Sequence, residues 1–326
     1  MDRFIVGTGR CGSTLLSQML AEDPDVLSIF EFFNGLDVMR RFGTAPVSGA
    51  DFAALISAEQ PFVTAVLRRG YPVAEITYPF GPTSRFQPDD PLPWILVSAL
   101  PRLDPDPDRL FDAVVEFATH LPMQHLSRHY CALFDWLAST KDRELWIERS
   151  GSSIDYLGSL HAFFPNARFL QIHRDGREAA LSMREHHAYR LPIAILYQSG
   201  GPPAFDLHAD PDPRDPVSRI LASRPPVEYY GRYWNDQIAN GFRAIDGIAP
   251  EHYRAIRFED LVSDPRTVLG EVCEFFSLDR WRGDWIERAV TRVRGVPPLR
   301  APELGAEERA LLDEVCRPGQ ALLGRD

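Results

Sequence analysis

Arg3-Phe4-Ile5-Val6-Gly7-Thr8-Gly9-Arg10-Cys11-Gly12-Ser13-Thr14-Leu15-Leu16 is the stretch on which the reading of the fold turns. Its apolar start reads as a buried strand over Arg3–Val6. The loop Gly7–Gly12 follows, and Ser13–Ala21 reads as a helix that stops at Asp23-Pro24. Strand, glycine-rich turn and helix form the geometry that cradles a phosphate, because backbone N–H groups converge there and the helix N-terminus adds partial positive charge. The spacing from Gly7 to Gly12-Ser13-Thr14 nearly fits the pattern G-x-x-x-x-G-K-[ST], with Ser13 standing in place of the lysine. The nearest cation is Arg10, inside the loop. A loop of this kind suits a 5′-phosphate but lacks the residue that grips a β/γ-phosphate pair. The plain alternative is a strand–turn–helix with no ligand.

Beyond this start, the short strand Val26–Ile29 delivers Glu31 to its end. Residues 43–145 read as less regular, with Tyr78–Pro107 as proline-rich loop. Within that stretch, Arg109–Ala138 has helical spacing that Pro122 splits in two. The alternation then resumes: strand Leu145–Glu148, helix Ser152–Phe164, strand Ala167–His173, helix Arg177–His186. A Gly/Pro/Asp-rich loop over 190–226 follows, including Ser199-Gly200-Gly201-Pro202-Pro203, then helix Val227–Ile245, strand Tyr253–Arg257 and helix Pro265–Phe276. The C-terminal segment reads as helical apart from Val296–Pro302. Strands alternating with helices predict an α/β fold, P-loop-like, in three α/β/α layers around a central parallel sheet with helical and loop insertions. A ligand then belongs at the carboxyl ends of the strands. The expected organisation is one domain over 1–326, in which the insertion 43–145 and the loop 190–226 form an acceptor site and a lid.

The net charge of −11 argues against a general binder of nucleic acid or anionic membrane, whose surface needs a basic stripe. Lys141 is the single lysine, so arginine does nearly all the cationic work. The bias toward arginine and proline suggests a GC-rich bacterial genome. Cys11, Cys131, Cys273 and Cys316 show neither a C-x-x-C pair nor zinc-ligand spacing, which predicts a reduced, cytoplasmic setting. Cys11 lies in the loop, where a helix N-terminus can activate a thiol, although a small loop residue is the simpler reading. No run of apolar residues is long enough to predict an integral membrane segment.

A second candidate anion site lies in Arg168-Phe169-Leu170-Gln171-Ile172-His173-Arg174-Asp175-Gly176-Arg177-Glu178-Ala179-Ala180-Leu181-Ser182-Met183. An apolar strand ends in Arg174, and Ser182 follows on the next helix. A guanidinium fork with a hydroxyl suits a phosphate monoester; a solvated turn is the plain alternative. Together the two segments resemble the sulfotransferase family that uses 3′-phosphoadenosine-5′-phosphosulfate (PAPS). Arg-Cys-Gly-Ser-Thr-Leu-Leu is similar to its 5′-phosphosulfate loop, and the Arg174 segment to its 3′-phosphate motif. Tyr253-Arg254-Ala255-Ile256-Arg257-Phe258-Glu259-Asp260-Leu261-Val262-Ser263-Asp264-Pro265 is similar to its downstream strand–helix signature.

The branch that includes the tyrosylprotein sulfotransferases is the nearest in pattern. Its catalytic glutamate follows an Asp/His-Pro-Asp-Val turn, and here Asp23-Pro24-Asp25-Val26 leads to Glu31. Its catalytic lysine precedes the proline of a Phe-Pro-Asn turn by 16 residues. Counting back from Pro165 lands on Arg149, an arginine where the pattern has lysine, which stabilises charge but donates a proton poorly. The resemblance thus implies Glu31 as base, Arg10 and Arg149 as charge stabilisers, and Arg10, Cys11, Gly12, Ser13, Thr14 and Leu15 around the 5′-phosphate. It further implies Arg174 and Ser182 on the 3′-phosphate, with Arg300 closing over the nucleotide. Thr119-His120-Leu121-Pro122 imitates a motif of another branch, but His120 lies 54 residues before Arg174 and reads as a helix-face histidine. The implied reaction is sulfuryl transfer from PAPS to a hydroxyl of a small-molecule, lipid or carbohydrate acceptor, with adenosine 3′,5′-bisphosphate (PAP) as product and no metal. The rivals are a P-loop kinase, which needs a lysine at position 13, and a module that binds an adenosine bisphosphate without turnover. Phe80, Phe86, Trp94, Phe111 and Phe205 are candidate acceptor contacts, with core packing the more frequent role of any one.

Overall fold

The computed structural model describes residues 1–197, 206–278 and 284–325. Ser199–Pro203 and Phe205, singled out above, lie outside them. Five strands form one parallel sheet: β1 (Arg3–Val6), β2 (Val26–Phe30), β3 (Leu145–Arg149), β4 (Arg168–His173) and β5 (Tyr253–Arg257), in the order β2-β3-β1-β4-β5. β1 and β4, the most apolar runs, pair with neighbours on both sides. Helices cover both sheet faces, so these strands are buried on each and need no polar alternation. The expected α/β architecture with a central parallel sheet is what the chain adopts.

Two apolar layers flank the sheet. Ile5, Leu170 and Ile172 point to one side and pack against Leu16, Leu20, Leu269 and Phe276. Phe4 and Phe169 point to the other and join Phe33, Phe134, Trp146 and Phe164; the Phe4 and Phe169 rings stack at 5.6 Å. Burial of aromatics on this scale is the main favourable term holding the layers together. Glycine permits close approach at one joint that matters for the site: Gly176 opens helix Gly176–Arg184, and a Cβ there would lie 2.6 Å from the Trp234 ring.

The insertion is more regular than its sequence indicates. Helices Gly49–Ile56, Pro61–Arg68, Pro107–Thr119 and Leu126–Thr140 fill it, and the stretch read as loop contains a helical turn over Ile95–Arg102. The predicted loop 190–226 is also corrected: it contains the end of helix His187–Tyr197 and all of helix Pro216–Ala222. Pro192 inside the first helix and the flanking Asp-Pro pairs imitate loop composition. Packing overrides that local signal: Leu191, Val217 and Leu221 are fully buried against Ala65 and Val66, and buried Arg69 pairs with Asp215 at 3.2 Å. Among the described residues no helix is long and apolar enough to cross a membrane.

Replacing Gly176 with alanine should cost about 1–3 kcal/mol of stability, the range for overpacking a filled core. A chemical denaturation midpoint that drops with an unchanged slope checks it.

Candidate active site

Every strand of the sheet delivers one part of the site at its carboxyl end. β1 runs into the loop Gly7–Gly12, β2 into Glu31, β4 into Arg174 and β5 into Phe258, while Arg149 is the last residue of β3. Parallel pairing in register sets these ends side by side: Phe30 of β2 lies opposite Arg149, and Ile5 of β1 lies opposite the same residue. The result is a cleft of the kind open α/β sheets form at their strand ends.

The loop is shaped for backbone donors. Gly12, at φ 99°, takes a left-handed conformation that glycine adopts freely, and a Cβ there would strike the Phe258 ring at 2.1 Å. Arg10 is also left-handed, at φ 61°, as are Glu31 (55°) and Ser152 (58°). These sparsely populated conformations gather where the side chains converge, as at many functional sites. Cys11 turns inward instead. It is fully buried among Leu16 and Ile172, and burial pushes its thiol pKa up, so the activated-thiol reading is corrected. Its backbone remains part of the loop.

A cavity of about 350 Å³ sits above the loop, and Arg10, Gly12, Ser13, Thr14, Leu15, Glu31, Arg149, Arg174, Ser182 and Arg300 all line it. With the exception of Cys11, the residues expected to hold a nucleotide or do chemistry are thus in one wall. Arg10 Nε donates to Ser182 Oγ at 3.1 Å, joining the loop directly to the second anion segment. Arg174 lies 4.9 Å from the Phe258 ring centroid and 3.8 Å from Glu178. Glu178 accepts from the Arg300 and Ala301 N–H groups at 2.9 Å, which pins the irregular stretch before residue 301 against the cleft. Four guanidinium groups and the backbone N–H groups of the turn fit an anionic ligand that bears phosphate at two separated points.

Glu31 and Arg149 are the centre of the cleft. Both are nearly inaccessible, at 3% and 1% exposure. Arg149 Nη1 donates to Glu31 Oε1, and its Nη2 donates to Thr14 Oγ1 at 2.6 Å. The guanidinium thus reaches over the phosphate loop, supplying a cation to a loop that lacks the usual lysine. Glu31 Oε2 accepts from Gly151 N at 3.0 Å and from Asn34 Nδ2, and Trp94 Nε1 donates to the Glu31 carbonyl. The Phe30 ring carries both the Arg149 and Arg102 guanidinium groups at 3.8 Å. Burial pushes the Glu31 carboxyl above its ordinary range, and the charge of Glu75 adds to this; Arg149 pulls the other way. Beneath it, burial raises Glu148 to about 8, so it is neutral at pH 7; it accepts from Ser150 Oγ at 2.6 Å, and Ser150 Oγ accepts from Phe33 N.

A second cavity, of about 200 Å³, meets the first at Glu31, Glu75 and Tyr189. Its walls come from the insertion (Phe62, Val63, Trp94) and from Tyr189, Pro192 and Tyr233. Of the expected aromatic contacts among the described residues, Trp94 lines it, while Phe111 is core and Phe80 and Phe86 pack on the core. His120 is exposed at the end of its helix, lines neither cavity and bonds Glu116 O, as a helix-face histidine does. Two site residues carry no sequence signal of their own. Glu75 lies 3.9 Å from Arg10 and 2.8 Å from His186 Nε2. Burial alone would raise the Glu75 carboxyl, but His186 and Arg10 outweigh it and hold it below the ordinary range. His186 stands in the break between helix Gly176–Arg184 and helix His187–Tyr197, where no periodic signal marks it.

Part of the chain is similar to a known family. The model of the sulfotransferase family matches residues 101–193, which include β3, Arg149, Arg174 and Ser182. Over that stretch the match agrees with the resemblance drawn from the motifs. Solved structures similar to it include the sulfotransferase domain of the Synechococcus PCC 7002 olefin synthase, at 17% identity, covering 96% of this chain and 86% of that one, TM-score 0.47. The sulfotransferase domain of the curacin biosynthetic pathway is 13% identical, covers 100% and 98%, and has TM-score 0.49. A Mycobacterium avium sulfotransferase is 17% identical, covers 98% and 75%, and has TM-score 0.47. No curated protein matches the chain in sequence.

Removing Arg149 strands a buried carboxylate. Arg149→Met should lose about 3–5 kcal/mol in urea unfolding, and adding Glu31→Gln should restore part of the loss. Glu148 gives a pH signature. Its folded pKa of about 8 lies above the ordinary glutamate value of 4.5, so only the unfolded chain ionises between these values. Its contribution to stability is full below 4.5 and is lost as pH rises toward 8. Glu148→Gln should flatten that part of the stability–pH curve.

Proposed function

We propose that this protein transfers a sulfuryl group from PAPS to a hydroxyl of a small-molecule, lipid or carbohydrate acceptor. One observation carries the reading. Two anion-binding segments, far apart in sequence, close on one cleft, and the proton-accepting group and its paired cation sit where that cleft meets a second, partly apolar cavity. The sulfotransferase-family match over residues 101–193 supports sulfotransferase chemistry, while the donor, acceptor class and residue roles rest on the geometry.

The roles follow from placement. The loop N–H groups with Ser13 and Thr14 hold the 5′-phosphate; Arg174 and Ser182 hold the 3′-phosphate, and Arg300 covers the nucleotide. The acceptor oxygen attacks sulfur in line as the bond from sulfur to the phosphate oxygen breaks. Charge grows on that oxygen, where Arg10 and Arg149 stabilise it, worth about 3–4 kcal/mol per well-placed donor. Glu31 takes the acceptor's proton, a task suited to a carboxylate with a raised pKa. The insertion 43–145 and helix His187–Tyr197 enclose the acceptor, so that the whole chain works as one sulfotransferase domain.

Glu31→Gln should abolish transfer from labelled PAPS while PAP binds nearly as before; a variant that keeps most of its activity removes Glu31 as the base. Arg174→Ala should weaken PAPS binding far more than binding of adenosine 5′-phosphosulfate, and equal losses would remove the 3′-phosphate assignment. Because the base must be ionised, kcat should rise with pH along a limb displaced above 4.5, and the pH profile of the single-turnover rate checks it.

A further inference from the structure

Arg10 needs partners to hold its guanidinium still. It stands on the phosphate loop with its backbone at φ 61° and its side chain 35% exposed. A free arginine side chain carries about 2 kcal/mol of rotamer entropy. Two groups from other elements reach it. Ser182 Oγ, on helix Gly176–Arg184, accepts from Nε at 3.1 Å. Glu75 Oε1, from the insertion, faces Nη1 at 3.9 Å. The other Glu75 oxygen is held in turn, with His186 Nε2 2.8 Å away. The turn that carries Glu75 is also fixed: Ile76 N donates to Val73 O at 3.1 Å, and Val73 is buried with Leu191 and Leu221. The Glu75 side chain is 18% exposed and lines both cavities, so its open surface lies where they meet.

We infer that Glu75 is a positioning residue: backed by His186, it holds the Arg10 guanidinium at the junction where the sulfuryl group passes from donor to acceptor. This rests on the sulfuryl-transfer reading and adds how one of its charge stabilisers is aimed. The net charge of the pair is not the gain, because a carboxylate beside Arg10 subtracts from its field. Placement is what the carboxylate adds. An ion pair of the same kind keeps the phosphate-contacting lysine of protein kinases in place. Without Glu75, Nε keeps its bond to Ser182 while the Nη end is left to turn. A misplacement of about 1 Å in a reacting group costs up to about 10²-fold in rate.

The test reads single-turnover cleavage of labelled PAPS with phenol and water both present as acceptors. It is run on the alkaline plateau of the pH profile, so that Glu31 is ionised in every variant. Glu75→Gln should slow cleavage about 10–100-fold while PAP affinity stays within about threefold. Rate and PAP affinity lost together mark a role in folding alone and overturn the inference. Arg10→Ala should slow cleavage about 10²-fold or more. In that background, adding Glu75→Gln should change the rate by less than about threefold, because no guanidinium is left to aim. Equal losses from Glu75→Gln in both backgrounds, or a native rate in Glu75→Gln, overturn the inference and leave the sulfuryl-transfer reading standing. A native rate in Arg10→Ala, or no cleavage by the native protein, overturns the inference together with the role given to Arg10, and PAP titration then decides separately whether the donor reading survives.

Discussion

A carboxylate and a guanidinium buried side by side at the ends of β2 and β3 are the constraint around which this site is arranged. Taking both ions out of water is costly, and their attraction repays it only when further hydrogen bonds satisfy what remains. The chain supplies those bonds from separate places: Thr14 on the phosphate loop, Asn34 after β2, Gly151 after β3. Each partner ties another element to the pair, so the loop, the insertion's Trp94 and the sheet are held in one geometry. A hydrophobic pair would pack as well. What the ion pair adds is a carboxylate fixed beside a fixed cation.

Arginine in place of lysine changes what that cation can do. A guanidinium bonds two groups at once, and Arg149 bonds Glu31 with one nitrogen and Thr14 with another. It serves as the permanent positive charge above a loop that lacks a lysine of its own. Burial pushes both buried carboxyls up, and their partners set them apart: Glu31 stays raised, while His186 and Arg10 hold Glu75 down.

Much of this was legible in the sequence because it is local. The loop from Gly7 to Thr14, the strand ending in Arg174 and the helix carrying Ser182 are continuous segments whose periodicity and end residues state their geometry. Glu31 and Arg149 were reached through spacing within a family pattern, and the sheet brings them together. The rest depends on contacts that no local signal encodes. Helices His187–Tyr197 and Pro216–Ala222 read as loop because Pro192 and the Asp-Pro pairs are breakers in isolation, and only burial against Ala65 and Val66 overrides them. Glu75 and His186 are 111 positions apart, and meet because a helix after β4 folds over the insertion.

The measurement closest to the central claim is a calorimetric titration with PAP, run in parallel with ATP and Mg²⁺. The geometry predicts tight binding of the bisphosphate, which loads both anion segments at once, and no binding of ATP–Mg²⁺. Binding of ATP–Mg²⁺ with PAP left free would contradict the account and favour a kinase.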